Sequence, residues 1–134
     1  MTDELAGEAA RKFVLLIGLH PRVVDFSLLP NLDERTLTAG LQTGLTEVIA
    51  AGFAAEWCLT DDTWASAEAM IRERLAAREP AAIVIGAGIR TLPRYFLLFE
   101  QIVNLVHAAA PGARLCFNTS PDSTAAAVLR WVTP

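Results

Sequence analysis

The sequence predicts a three-layer α/β/α domain on a four-stranded parallel sheet, and three observations carry that expectation. Short apolar runs rich in β-branched residues, typified by KFVLLIGL at residues 12–19, recur along the chain, as strands buried on both faces do. Longer segments between them repeat apolar residues at helical spacing, as Leu37, Leu41, Leu45, Val48 and Ile49 do. Strand and helix then alternate to the end of the chain, which calls for parallel pairing through right-handed crossovers with helices on both faces. At 134 residues the length fits one domain with one core. Residues 1–134 are read as a single α/β unit without internal repeats, with 1–11 as a helical or loose lead-in.

The first strand, 12–19, runs into HPRVVDFSLLPNLD, a long connection with two prolines and no period. A first helix follows, with Asp33 placed to cap it and Gly52 to end it. In FAAEWCLT, 53–60, Phe53, Ala55, Trp57 and Leu59 alternate against Ala54, Glu56 and Cys58, the pattern of a partly exposed edge strand with Glu56 toward solvent. Residues 63–79 set Trp64, Ala67, Ile71 and Leu75 along one stripe, and Pro80 ends that second helix. AAIVIGAG is read as the third strand, PRYFLLFEQIVNLVHAAA as the third helix, ARLCFNTS as the fourth strand and PDSTAAAVLRWV as a short fourth helix. Pro93 and Pro121 fall in first turns, where a missing N–H costs little. The expected strand order is 2-1-3-4.

Composition narrows the function classes. With 53% hydrophobic and 19% charged residues and a formal charge of −4, the chain reads as an ordered, soluble protein. Lys12 is its only lysine, so no nucleic-acid partner is expected, since phosphate-backbone binding needs clustered positive charge. Asp3, Glu4 and Glu8 precede the first apolar run, the wrong pattern for a secretory signal, and a cytoplasmic location is expected. Apolar runs such as residues 13–17 and 95–99 fall far below the roughly 20 residues of a membrane span, so no membrane partner is expected. Cys58 and Cys116 lack a CxxC or His-rich setting and are read as buried free thiols, with no metal site assigned.

In VIGAGIRTLP, residues 84–93, Gly86 and Gly88 close a strand. A dinucleotide fingerprint needs a third glycine where Thr91 stands and belongs after the first strand; a P-loop needs Gly-Lys-Ser/Thr, found nowhere here. No nucleotide cofactor is indicated, and the cofactor is left unknown. Two readings of the glycines remain open: close approach of a ligand, with free N–H groups and Arg90 for an anion, or a tight turn with close helix packing.

Ligands of open parallel sheets sit beyond the carboxyl ends of the strands where strand order reverses, here between the first and third. Loops meeting there carry His20, Arg22, Asp25, Asp61, Gly86, Gly88, Arg90, Asn118 and Ser120. His20 is the candidate acid or base, oriented by Asp25 or Asp61, or else a histidine bonded to loop backbone. Arg22 and Arg90 suit an anion by bidentate donation. Asp61 and Asp62 resemble an acidic metal pair, with capping of the second helix by Asp62 as the alternative. Ser120 and Asp122 present either ligand contacts or a helix cap, and Asn118 stands at the strand end before them. The connection after His20 exceeds the usual loop length and is a candidate lid, with Phe26, Leu28 and Leu29 covering a site or docking on a neighbour.

Across most of the chain the layout resembles the flavodoxin-like and Rossmann-like architecture, without a fifth strand. The motifs of the families that share it are missing. Where flavodoxins carry a Ser/Thr-rich phosphate loop, this chain reads GLHPRVVD. The receiver-domain acidic pair and phosphoaccepting aspartate, the low-molecular-weight phosphatase Cys-to-Arg spacing and the cobalamin-binding Asp-x-His-x-x-Gly loop are also absent. The resemblance implies architecture alone.

The third helix wraps Tyr95, Phe96, Phe99 and Val103 around most of its circumference, which predicts a second apolar neighbour and so a homo-oligomer, a dimer first. Cover from residues 1–11 or from the fourth helix is the alternative. The function expected is binding of a small anionic metabolite at the carboxyl edge of the sheet, with catalysis by His20 and Asp25 open. The alternative is a non-catalytic oligomeric or adaptor module.

Overall fold

A computed structural model describes residues 10–134, so the lead-in expected at 1–11 lies almost wholly outside the described residues. Four strands, β1 (Phe13–Leu19), β2 (Ala54–Thr60), β3 (Ala82–Ile85) and β4 (Arg114–Phe117), form one sheet in the order β2-β1-β3-β4. All three pairings are parallel, with Leu16 opposite Trp57 and Val84, and Val84 opposite Cys116. Beyond the sheet's first strand the helices are α1 (Glu34–Ala50), α2 (Trp64–Ala77), the single turn α3 (Ala87–Arg90), α4 (Phe96–Ala109) and α5 (Thr124–Leu129).

The period-two alternation of β1 sorts the core into two layers. Phe13, Leu15, Ile17 and Leu19 pack with Ala67 and Ile71 of α2 and with Leu98, Ile102 and Val106 of α4. Val14 and Leu16 face the other way, onto Val48 of α1 and Ala127 and Val128 of α5. Every residue of β1 is buried, as its unbroken apolar run requires. β2 takes the sheet edge, with Cys58 turned into one layer, Trp57 into the other, and the exposed Glu56 paired with Arg74 at 3.0 Å.

Helix ends follow the sequence signals. Asp33 Oδ1 accepts the Thr36 N–H at 2.7 Å, and just past the end of α1 Gly52 turns the chain at φ 114°, a backbone angle that favours glycine. Trp57 Nε1 donates to the Leu41 carbonyl at 2.8 Å, tying α1 to the edge strand.

The later elements are shorter than the sequence runs suggest. β3 stops at Ile85 because Gly86 makes the last sheet bond, its N–H donating to the Ile17 carbonyl at 2.9 Å, and the chain then coils into α3. The third long helix begins with a 3-10 turn, Pro93–Tyr95, before α4. The fourth also opens in a 3-10 turn, Pro121–Ser123, and becomes α-helical only at Thr124. Among the described residues no helix is long and apolar enough to cross a membrane.

Candidate functional site at the carboxyl edge of the sheet

The chain leaves β1 for β2 on one side and reaches β3 on the other, so strand order reverses between β1 and β3. A cavity of about 350 Å³ opens there, at the position where open parallel sheets take ligands. Gly18, Leu19 and Gly86 contribute from the strand ends. One wall is α3 with Thr91 and Leu92; another is the β4–α5 turn, Asn118 to Pro121. The rest comes from Trp57, from Leu37 on α1, and from Val24, Leu29 and Leu32 of the long connection. That connection is two 3-10 turns, Pro21–Val23 and Phe26–Leu28. It lays Leu29 over the cavity, while Leu28 stays 52% exposed.

Asn118 organises the site. Only 3% exposed, it accepts the Ala87 N–H on Oδ1 at 2.9 Å and donates from Nδ2 to Thr124 Oγ1 at 3.0 Å. Thr124 passes its own proton to the Pro121 carbonyl at 2.6 Å. One amide thus joins the β3–α3 turn to the β4–α5 turn and fixes the spacing of two cavity walls.

Gly86, Gly88, Asn118 and Ser120 line the cavity, whereas His20, Arg22, Asp25, Asp61 and Arg90 do not. Four of these five are engaged in other bonds, and Arg22 is exposed. His20 Nδ1 accepts the Arg22 N–H at 3.2 Å, closing the turn that starts at Pro21, so His20 has the backbone-bonded role. Asp25 accepts the Ser27 N–H at 3.0 Å and the Ser27 hydroxyl, and pairs with Arg94 at 3.5 Å. The Ser27 bonds hold its carboxyl below the usual range. His20 and Asp25 are therefore not joined as an acid–base couple.

Asp61 accepts the Thr63 N–H at 2.9 Å and the Thr63 hydroxyl at 2.8 Å, and these bonds lower its pKa. It is Asp61, rather than Asp62, that closes the entry to α2, because a carboxylate two residues ahead of an N–H makes a compact turn. Among the described residues no cluster of three or more His, Cys, Asp or Glu is arranged to hold a metal. Arg90 donates from Nη2 to the Asn118 carbonyl, and its guanidinium lies 5.8 Å from the centre of the Phe117 ring. It clamps the end of β4. Of the N–H groups expected to face an anion at α3, that of Ala87 is taken by Asn118, and α3 is a single turn. Ser120 Oγ donates to Asp122 Oδ1, and the Ser120 and Thr119 N–H groups donate to Ser123 Oγ at 3.2 and 3.0 Å. The cap reading of this segment describes these bonds.

Charge gathers on the opposite helical layer. Asp62, Arg94 and Tyr95 line a second hollow of about 360 Å³. Tyr95, placed on the contact surface by its sequence pattern, is 3% exposed and belongs to the core, where burial raises its pKa; its hydroxyl and that of Thr60 have no partner among the described residues. Phe99 and Val103 are half-buried against the same core, and Phe99 meets Phe117 edge-on at 6.1 Å between ring centres. Of the four expected contact residues, only Phe96 stands out in solvent, 62% exposed, beside Leu97 at 64%. Tyr95 falls in the 3-10 turn ahead of α4, and Phe99 and Val103 pack on the same core as Leu115 and Phe117, so the domain's own core covers a wider arc than one helical face.

Fold and site together define a three-layer α/β domain with an apolar-walled cavity at the strand-order reversal. Compared with known proteins, the chain matches no family model, no curated protein and no solved structure.

Leu32, Leu37 and Trp57 were not among the residues the sequence singled out for the site. For Leu32 a signal was present: it is the one apolar residue among Pro30, Asn31 and Asp33, and such a residue is buried only against something of its own kind.

Proposed function

We propose that this domain binds a small molecule in the cavity between the ends of β1 and β3. The observation that carries the reading is the cavity itself, about 350 Å³ in volume, which lies in the size range of small-molecule sites and at the topological position that such folds use. The single-amide tie through Asn118 supports it, because a pocket whose two walls are fixed to each other is formed before its ligand arrives. Among the described residues no acid–base couple faces the cavity, and the reading proposed is of a binding domain.

Saturation-transfer NMR against a set of uncharged and charged fragments tests this. Hits should compete with one another and disappear in Gly88→Leu and in Leu37→Trp, both of which put bulk at the cavity wall. Absence of hits, or hits that both variants leave intact, removes the reading.

A second reading, self-association through α4, rests on the neighbouring exposure of Phe96 and Leu97. Paired large apolar side chains in solvent mark contact surfaces. Sedimentation equilibrium should show a dimer that Leu97→Glu dissociates; a monomer at every concentration sinks it.

A further inference from the structure

Resting on the binding reading above, we infer that the cavity takes an uncharged, largely apolar molecule whose polar end is a hydrogen-bond donor, a hydroxyl or an N–H. Among the described residues no charged one lines the cavity. Arg90 does not line it: its Nη2 donates to the Asn118 carbonyl and its guanidinium lies against the Phe117 ring. An anion entering here leaves its hydration behind and meets no counter-charge, which is strongly unfavourable. Leu19, Val24, Leu29, Leu32, Leu37 and Trp57 offer an apolar body the packing it lacks in water.

The polarity of the remaining wall follows from how its protons are spent. Thr91 Oγ1 donates to the Ala87 carbonyl at 2.7 Å, and Ser120 Oγ donates to Asp122. The Ala87, Thr119 and Ser120 N–H groups are taken by Asn118 and Ser123. A hydroxyl that has given its proton away still accepts. Thr91 and Ser120 therefore offer lone pairs to a ligand, which suits a donor, and the groups left to meet an acceptor, such as the Gly88 N–H, are neutral ones that cannot supply the counter-charge a carboxylate or phosphate needs.

A matched pair of fluorophores tests this. N-phenyl-1-naphthylamine is uncharged and carries one N–H; 8-anilinonaphthalene-1-sulfonate has the same rings with a negative charge added. Titrated into the full chain, the uncharged probe should bind at one site at least about tenfold more tightly than the sulfonate, a difference of about 1.4 kcal/mol. Its binding should be lost in Gly88→Leu, where an added Cβ meets nothing within 4 Å, and also in Leu37→Trp. Equal or tighter binding of the sulfonate at a site those variants abolish overturns the ligand class and leaves the binding reading standing. If neither probe binds, or if both variants leave binding unchanged, the inference and the binding reading fall together.

Discussion

Replacing Asn118 by alanine tests whether one amide holds the two cavity walls together. Asn118→Ala removes the 2.9 Å bond from the Ala87 N–H and the 3.0 Å bond to Thr124 Oγ1 in a site where the asparagine is 3% exposed. Each hydrogen bond contributes about 1 kcal/mol net, and a buried donor left without a partner costs about 1–3 kcal/mol. Thr124 keeps its bond to Pro121, so the Ala87 N–H is the main orphan. The sum is about 2–4 kcal/mol. With a urea dependence of about 2 kcal/mol per M, the unfolding midpoint should fall by about 1–2 M without a change in slope. The assay is urea denaturation followed by far-ultraviolet circular dichroism. A midpoint shift below about 0.25 M, equivalent to the ±0.5 kcal/mol of an ordinary surface change, would refute the assigned role and with it the claim that the walls are fixed before a ligand arrives.

Gly44 and Gly40 lie one turn apart on α1, facing Pro121. Glycine to alanine in a helix ordinarily gains up to about 1 kcal/mol, and Gly40→Ala, whose Cβ meets the Pro121 ring at 3.4 Å, should be neutral or stabilised. Gly44→Ala drives its Cβ into the Pro121 carbonyl and should lose about 1–2 kcal/mol net, since overpacking costs about 1–3; thermal melts of equal stability would contradict this. Acid should weaken the fold through Asp33, whose carboxyl the Thr36 bonds hold below its usual 3.8. Its stabilisation is full above that value and is lost as pH falls through the lower folded one. Asp33→Asn keeps an oxygen for the cap and should flatten the loss of melting temperature as pH falls below 3.8, whereas an unchanged acid limb would remove Asp33 from the account. Burial pushes the Cys58 and Cys116 thiols up to about 11. Neither should react with a disulfide reagent at about pH 8 until the chain is unfolded, and rapid labelling of the native protein would count against the two-layer packing.

The order of strands was legible because it rests on long-range regularities. The run at β1 has no polar residue on either side of its pleat, which only a central strand tolerates, and the alternation around Glu56 marks an edge. Lengths were less legible. AAIVIGAG and ARLCFNTS read as eight-residue strands, yet each keeps four residues in the sheet, because the positions after them are decided by tertiary bonds. Gly86 spends its N–H on Ile17 and Ala87 on Asn118, and no local propensity records a partner 31 residues away.

The location of the candidate site was legible for the same reason as the strand order, whereas the roles of its residues were not. Charged and hydroxyl-bearing side chains collect in loops at the carboxyl edge both when they face a ligand and when the turns themselves need them. Asp25-Phe26-Ser27 and Asp61-Asp62-Thr63 each place an acceptor two residues before a hydroxyl and an N–H, and the structure spends both aspartates on those neighbours. A carboxylate engaged in that way gives up little to a ligand, because reorienting it orphans the turn it closes. Leu29 and Leu32 have no such local claim on them. An aliphatic side chain in a connection finds its partner only through packing, so the residues with no turn chemistry to perform are the ones the fold gathers over the cavity.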